Sequence, residues 1–419
     1  MSMAKLFIYA TLLSPLIITK SLFFPFITGK ALFFRTAVEL ALLAFLIELI
    51  FWSKKYNWRA ILSQPLFLSV LVFITLFVLT SFTALNPTVA FWSNFERAEG
   101  GWQMLHYFIF FTLTTIIFKS KKDWRKLLKW QTLLSSIVAL YGLAQTLKIG
   151  GRFIVSPGPI SGTLGNSSYL SIFMVFGLFF IIWLLFEEKN KFIKILLYLS
   201  GLLHVFMLFQ AGTRATFLAI AIGIIFAELL MLWRLHKHHR HKFTQKILIL
   251  CYLGIFVTIL LITLGTTILV FNVWGSDAYN TLLPRFWTWG SALSGFLEKP
   301  ILGWGAENFP YVFDKYYNAK HYGIESWFDR THNIFLEYLI GGGLVLLSAY
   351  LSIFYFLFRS LMRLKKDNGW FWPILFSMPV IYLINGLTLF EVLPIYLNLF
   401  LFLAFFINYK LEFQTQTND

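Results

Sequence analysis

The sequence predicts an all-α integral membrane protein, a polytopic bundle of about twelve transmembrane helices with both termini in the cytoplasm. Three observations carry that expectation. The chain of 419 residues is 58% hydrophobic and 20% aromatic but only 13% charged, which is more apolar surface than a soluble domain can bury. Apolar runs of about 17 to 25 residues recur along it, each long enough to cross roughly 30 Å of hydrocarbon as a helix. Lysine and arginine collect in alternate connections, as they do where short cytoplasmic loops are enriched in them.

The runs fall at 5–22, 31–52, 65–84, 104–118, 127–147, 166–186, 192–210, 215–233, 246–273, 332–358, 370–389 and 392–410. No small-residue cleavage site follows the first, so it reads as a retained span and not as a signal peptide. Lys54, Lys55 and Arg59 follow the second run, "KSKKDWRKLLK" at 119–129 follows the fourth, and Lys189, Lys191 and Lys194 follow the sixth. "RLHKHHRHK" at 234–242 with Lys246, "RSLMRLKK" at 359–366, Lys5 and Lys410 fall on the same side. That side is read as cytoplasmic and the whole chain, 1–419, as a single membrane domain. The net charge of +16 is then mainly a topology signal with affinity for anionic headgroups, and nucleic acid is not an expected partner. The histidine run reads as solvated loop and not as a metal site. Cys251 is the single cysteine and falls within a span, so neither a disulfide framework nor a thiolate metal site is expected.

The one long connection on the opposite side, 275–331, is read as an extracytoplasmic subdomain. Within "LLPRFWTWGSALSGFLEKPILGWGAENF" at 282–309, Phe286, Trp289, Leu293, Phe296 and Leu297 keep helical spacing. Pro284 suits a first helical turn, so the segment predicts an amphipathic interfacial helix that carries Arg285 in that turn and ends at "EKPILGWG". Trp287, Trp304, Tyr311, Tyr316, Tyr317, Tyr322 and Trp327 read first as interface anchors and second as platforms for sugar rings.

Several polar groups gather on this outer side. Arg214 in "QAGTRATFLA" sits at the mouth between the seventh and eighth runs, where small neighbours and a helix N-terminus favour an anion. A snorkelling arginine at a helix end is the plain alternative. "DRTHNIFLEYLIGGG" at 329–343 places His332 and Asn333 at the start of the tenth run, and an imidazole titrating near neutrality suits a general base. Arg97, flanked by Glu96 and Glu99, is read as a headgroup contact or as the ion-pair partner of those glutamates. No D-x-D pair is present, so neither a metal nor another cofactor is expected. Arg152, beside Gly150 and Gly151, is a minor candidate. Glu39, Glu48 and Glu228 in or near spans motivate a transporter or flippase reading, although no inverted repeat or pair of broken spans accompanies them.

Together these residues resemble the O-antigen ligase and Wzy-type polymerase superfamily of bacterial membrane glycosyltransferases, which also includes protein O-oligosaccharyltransferases. The resemblance rests on small-Thr-Arg-small at 212–215, on the Arg285 segment leading into "PILGWGAENF" at 300–309, and on "HNIFLEYLIGGG" at 332–343. "FERAEGG" at 95–101 and "GTLGNSSYLSIF" at 162–173 are similar too, whereas Thr-Arg-Ala stands where the family often has Ser-Arg-Gly. The resemblance implies transfer of a glycan from a polyprenyl diphosphate donor to an acceptor hydroxyl at the outer face of the bacterial cytoplasmic membrane. The acceptor would be a lipid-linked core sugar, another glycan or a protein. Arg214 and Arg285 would stabilise the departing diphosphate, and His332 would take the acceptor proton in a direct, inverting, metal-independent attack. Arg97, Arg152, Asn308 and Asn333 would contact substrate. Motif spelling favours a ligase over a polymerase or a protein transferase; a flippase of lipid-linked sugars and a membrane assembly scaffold are the alternatives of other classes.

Overall fold

Helix ends in this chain are written in short polar signals. The computed structural model describes residues 2–52, 56, 58–94, 96–151, 154, 159–237, 252–254, 257, 277–364 and 371–413, and among them every regular element is helical. The helices are α1 (Met3–Thr11), α2 (Thr28–Trp52), α3 (Trp58–Leu62), α4 (Pro65–Phe82), α5 (Pro87–Trp92), α6 (Gly101–Ile117), α7 (Lys121–Thr146) and α8 (Ser167–Glu187). They continue with α9 (Lys191–Ala211), α10 (Arg214–Lys237), α11 (Asp277–Glu298), α12 (Phe309–Lys315), α13 (Ile334–Met362), α14 (Phe371–Asn385) and α15 (Leu393–Asn408). Ser120, Asn166, Asn190 and Asn333 cap α7, α8, α9 and α13 by accepting backbone N–H bonds, and Pro65 and Pro87 occupy first turns where no donor is needed. Gly212, at φ 62°, closes α9 in the left-handed region, and α10 starts two residues later.

Among the described residues, 7 helices are long and apolar enough to cross a membrane: α4, α7, α8, α9, α10, α13 and α15 with its extension to Leu411. The first apolar run does not continue as one helix. α1 has 9 residues, about 13 Å of rise, and the chain then turns at Ser14–Leu16 around Pro15. The N-terminus of α1 is instead anchored on α2, where Glu48 accepts from Ser2 Oγ at 2.7 Å and from the Ala4 N–H at 3.2 Å. Glu39 faces His106 Nε2 at 3.0 Å. The run 246–273 with Cys251, the segment after Lys237 that holds the histidines, Lys54, Lys55, Lys365 and Lys366 lie largely or wholly outside the described residues.

The basic segments meet at one end of the bundle. Lys5 pairs with Asp123 at 2.6 Å and Lys121 with Glu187 at 2.7 Å, Lys129 reaches Glu188, and Lys410 donates to Gln64 at 3.0 Å. α2 carries Glu48 into this end and Lys30 into the other, about 27 Å away at the rise of a helix.

At that other end, residues 277–331 form a subdomain with its own core, in which Trp304, Phe309, Phe313 and Phe328 are buried together. Trp304 is therefore a core residue and not an interface anchor, its indole N–H donating to Gly295 O at 2.8 Å. α11 begins at Asp277, earlier than the sequence suggests, so Pro284 lies inside the helix and Arg285 in its third turn. A proline removes one backbone donor, and here Thr288 Oγ1 also takes the Pro284 carbonyl at 2.8 Å. Thr288, Ser291, Ala292 and Gly295 turn inward while Phe286, Leu293 and Leu297 stay exposed, an apolar stripe suited to a membrane interface.

Two glycine motifs form one unit. α13 breaks at Gly342 (φ −146°, ψ 19°) and Gly343 (φ 63°, ψ −161°), and residues 300–305 meet the backbone groups that the break exposes. Trp304 N–H donates to Ile340 O at 2.7 Å, Gly305 N–H to Gly341 O at 3.0 Å and Leu344 N–H to Pro300 O at 2.8 Å. A Cβ on Gly343 would lie 2.2 Å from Ile301 O. Gly343→Ala is thus expected to lose roughly 3 kcal/mol or more from left-handed strain and backbone collision. The thermal unfolding of the purified variant tests this, and an unchanged midpoint would show the docking to be slack.

Candidate active site

His332 is placed by its neighbours on three elements. Asn333 caps α13, its Oδ1 accepting from Phe335 N–H at 3.0 Å and Leu336 N–H at 3.3 Å. Thr331 is held through Glu337, which accepts from its N–H at 3.1 Å and its hydroxyl at 3.0 Å. From α11, Trp289 Nε1 donates to Thr331 O at 2.9 Å. These contacts keep His332 at φ 52°, a region that non-glycine residues leave unless neighbours hold them there. The imidazole stands edge-on to Phe328 and Phe390, with ring centroids 5.5 Å and 5.0 Å away.

Arg97 reaches the same place from the connection after α5. Its guanidinium grips Asp329 through both Nε and Nη2, the latter at 2.8 Å, and lies 5.1 Å from the centre of the Phe390 ring. Glu96 is a weaker partner at 3.4 Å. The expectation that Arg97 pairs with its flanking glutamates holds for Glu96 and is corrected for Glu99, which turns inward, where both oxygens accept from Tyr107 OH at 3.0 and 2.9 Å. A bidentate fork on a carboxylate 232 residues away beats a neighbour that cannot present both oxygens. Burial opposes the Asp329 charge, but the hydrogen bonds and charge of Arg97 hold it below the usual carboxylate range. Burial first, helped by the charge of Glu307 and opposed by Tyr107, Arg330 and Arg35, pushes the Glu99 carboxyl well above it.

Beneath His332 lies a charge cluster that no motif announced. Arg330 is buried and bonded to Glu307 and, at 2.7 Å, to Glu337. Burial disfavours its charge, yet Glu307, Glu337 and Asp329 outweigh burial and raise its pKa. The available signal was that "AENF" and "DRTHNIFLE" each place charged residues beside apolar ones.

A cavity of about 260 Å³ opens in front of these groups, lined by His332, Arg97, Glu99, Lys30, Asn166 and Tyr169 among apolar neighbours that include Phe24, Leu164 and Phe390. Its walls join the "FERAEGG" and "GTLGNSSYLSIF" segments to the His332 turn. Arg285 is not among the lining residues; it is half-buried and donates to Thr388 O at 3.3 Å. Its charge nonetheless reaches the imidazole. Burial first, then the Arg285 cation, with smaller contributions from Arg97 and Arg330 and opposition from Asp329, lower the His332 pKa to about 4.

Arg214 is exposed at the first residue of α10 and has no polar partner among the described residues. Its helix start is anchored by Ser171 on Thr213 at 2.9 Å and by Asn385 on Thr216 at 3.0 Å. That places it at the same end of the bundle, without a contact to His332 or Arg285. Asn308 is fully buried and engaged by its own chain, with bonds to Asn86 N–H, Asn86 O and Ala306 O. Neither Asn308 nor Asn333 lines the cavity. Arg152 lies outside the described residues.

Residues 199–351, which supply Arg285, Asp329, Arg330 and His332, match the Wzy_C family model, described as O-Antigen ligase. That segment is similar to the O-antigen ligase family. This match supports the resemblance to the O-antigen ligase and Wzy superfamily over that segment, and the 7 long apolar helices among the described residues suit a multi-pass membrane protein. No curated protein matches the chain. The O-antigen ligase segment contributes the imidazole and its charge cluster, while Lys30, Arg97, Glu99, Tyr169 and Phe390 complete the cavity from outside it.

Proposed function

We propose that this protein transfers a glycan from a polyprenyl diphosphate donor to an acceptor hydroxyl at the extracytoplasmic face of the bacterial cytoplasmic membrane. The observation that carries this reading is the shared cavity of His332 and Arg97 under the field of Arg285, to which the segment that matches the O-antigen ligase model contributes His332. The opposite end of the bundle holds the basic pairs, which supports cytoplasmic termini and an outward-facing site.

In this reading the acceptor oxygen attacks the anomeric carbon, forming the new glycosidic bond as the bond to the diphosphate oxygen breaks. The bond's electron pair leaves with the diphosphate, and the hydroxyl proton passes to the neutral His332 imidazole. Direct displacement inverts the anomeric centre. Arg285, whose one hydrogen bond among the described residues is to a carbonyl at 3.3 Å and which feels the charge of Glu325, supplies charge to the leaving group, and Arg214 supplies it at the mouth. Arg97, already neutralised by Asp329, orients. A ligase is the preferred member of the class, with lipid-linked core sugar as acceptor; a polymerase or a protein transferase would differ in the acceptor alone. The flippase reading drew on Glu39, Glu48 and Glu228; the first two have partners in the fold, Glu228 Oε2 is buried without a hydrogen-bond partner among the described residues, and none of the three lines the cavity.

Purified protein in liposomes, given glycan-loaded donor, is expected to release polyprenyl diphosphate only when acceptor is added. No release under any acceptor would sink the proposal. The acid limb of kcat/KM should fall well below the ordinary histidine value of about 6.5, because the free site holds His332 near 4. The limb in kcat should lie higher, since a bound diphosphate offsets the Arg285 charge that depresses the imidazole. Coincident limbs at 6.5 would remove Arg285 from the environment of His332.

A further inference from the structure

We infer that Lys30 is a binding residue for the phosphate end of an isoprenoid lipid diphosphate, an assignment that rests on the transfer reading above. Lys30 lies in the first turn of α2 and is 1% exposed. Its ammonium donates to Ile17 O and, at 2.8 Å, to Thr163 O. An ammonium has three donors, and no third bond is made among the described residues, while the side chain lines the cavity shared by His332 and Arg97.

The charge balance sets Lys30 apart. Arg97 is matched by Asp329 and Arg330 by Glu307 and Glu337. Glu99 lines the same cavity, but its oxygens accept from Tyr107 OH and no ion pair joins it to Lys30 among the described residues. Two carbonyl dipoles orient the amine without supplying an opposite charge, and burial lowers it to about 7, so that an anion in the cavity would be needed to hold it fully charged. A phosphate oxygen in the cavity would take the remaining donor and supply the missing charge. The rest of the lining fits what such a phosphate carries. Phe24, Pro25, Phe26, Leu164, Val392 and Leu393 form apolar wall around the amine, suited to the first isoprene units of a lipid and ill suited to a free, fully hydrated anion.

Lys30 also ties the 17–27 segment to the 159–166 loop, so the test must separate charge from tether. Lys30→Gln keeps two N–H donors for the two carbonyls and removes the charge. Binding to wild type and variant in nanodiscs would be followed by tryptophan fluorescence with undecaprenyl diphosphate, undecaprenol and phosphatidylglycerol, with thermal unfolding as the control for folding. The expected result is at least tenfold weaker binding of the diphosphate to a folded variant, with undecaprenol unaffected. Equal diphosphate affinity overturns the assignment, and an equal loss for phosphatidylglycerol reassigns the amine to bulk anionic lipid and overturns it too. Should the glutamine variant fail to fold, Lys30→Arg keeps the charge and should keep diphosphate binding; a folded arginine variant without it overturns the assignment. Loss of binding in Lys30→Gln, combined with no acceptor-dependent release from wild type, would leave the lipid site standing and remove the transfer reading.

Discussion

His332→Ala is expected to slow acceptor-dependent glycan transfer by roughly 10²- to 10⁴-fold, the usual contribution of a positioned general base. The imidazole is the one neutral proton acceptor of its kind in the cavity lining, since burial and Arg285 keep it unprotonated down to about pH 4. Arg97 cannot serve because it is held as a cation by Asp329, burial pushes Glu99 toward its neutral form, and Lys30, although burial lowers it to about 7, is engaged as a donor to two carbonyls. Donor binding should survive, since the cationic groups remain, so the loss belongs in kcat. Alanine at φ 52° adds strain of its own, which makes His332→Asn the necessary companion because asparagine tolerates that region. Rates of polyprenyl diphosphate release from reconstituted protein decide the matter. If both variants retain more than about a third of wild-type turnover, the base lies elsewhere.

Arg330→Met is expected to act through folding instead, by about 3 to 5 kcal/mol. Removal of the guanidinium strands Glu307 and Glu337, which face each other across it in a buried site. Glu337 also holds Thr331, so its release loosens the turn that presents His332 at φ 52°. Adding Glu307→Gln and Glu337→Gln to Arg330→Met removes the stranded charges and should recover a large part of the thermal stability without recovering transfer. Thermal unfolding of the single and triple variants checks both halves. A single variant as stable as wild type would mean that solvent or lipid reaches these carboxylates.

Much of the helical frame was legible because its signals are local. The runs at 65–84, 166–186, 192–210 and 332–358 became α4, α8, α9 and α13 within a few residues, since apolar length, an asparagine cap and a proline in the first turn all act within one turn of helix. The run at 5–22 misled for the same reason: its hydropathy is continuous, but Pro15 and packing against α2 break it. α11 misled in the opposite sense, because a proline that suits a first turn can also be carried inside a helix. In the site, His332, Arg285 and Arg97 were named from short segments, whereas Asp329, Arg330, Glu307 and Lys30 were not. Their meaning depends on partners 7 to 232 residues away.

By itself, then, the amino-acid order determined that this chain is a helical membrane protein, where most of its helices start and stop, which end collects the basic residues and which segments resemble an O-antigen ligase. Only the tertiary structure decided that Arg97 answers Asp329 and not Glu99, that the two glycine motifs dock on each other, and that Lys30 faces the cavity of His332. The physical reason is range. Hydropathy, caps and turn residues act on neighbours along the chain, while charge compensation and cavity shape arise only when packing brings distant residues within a few ångströms.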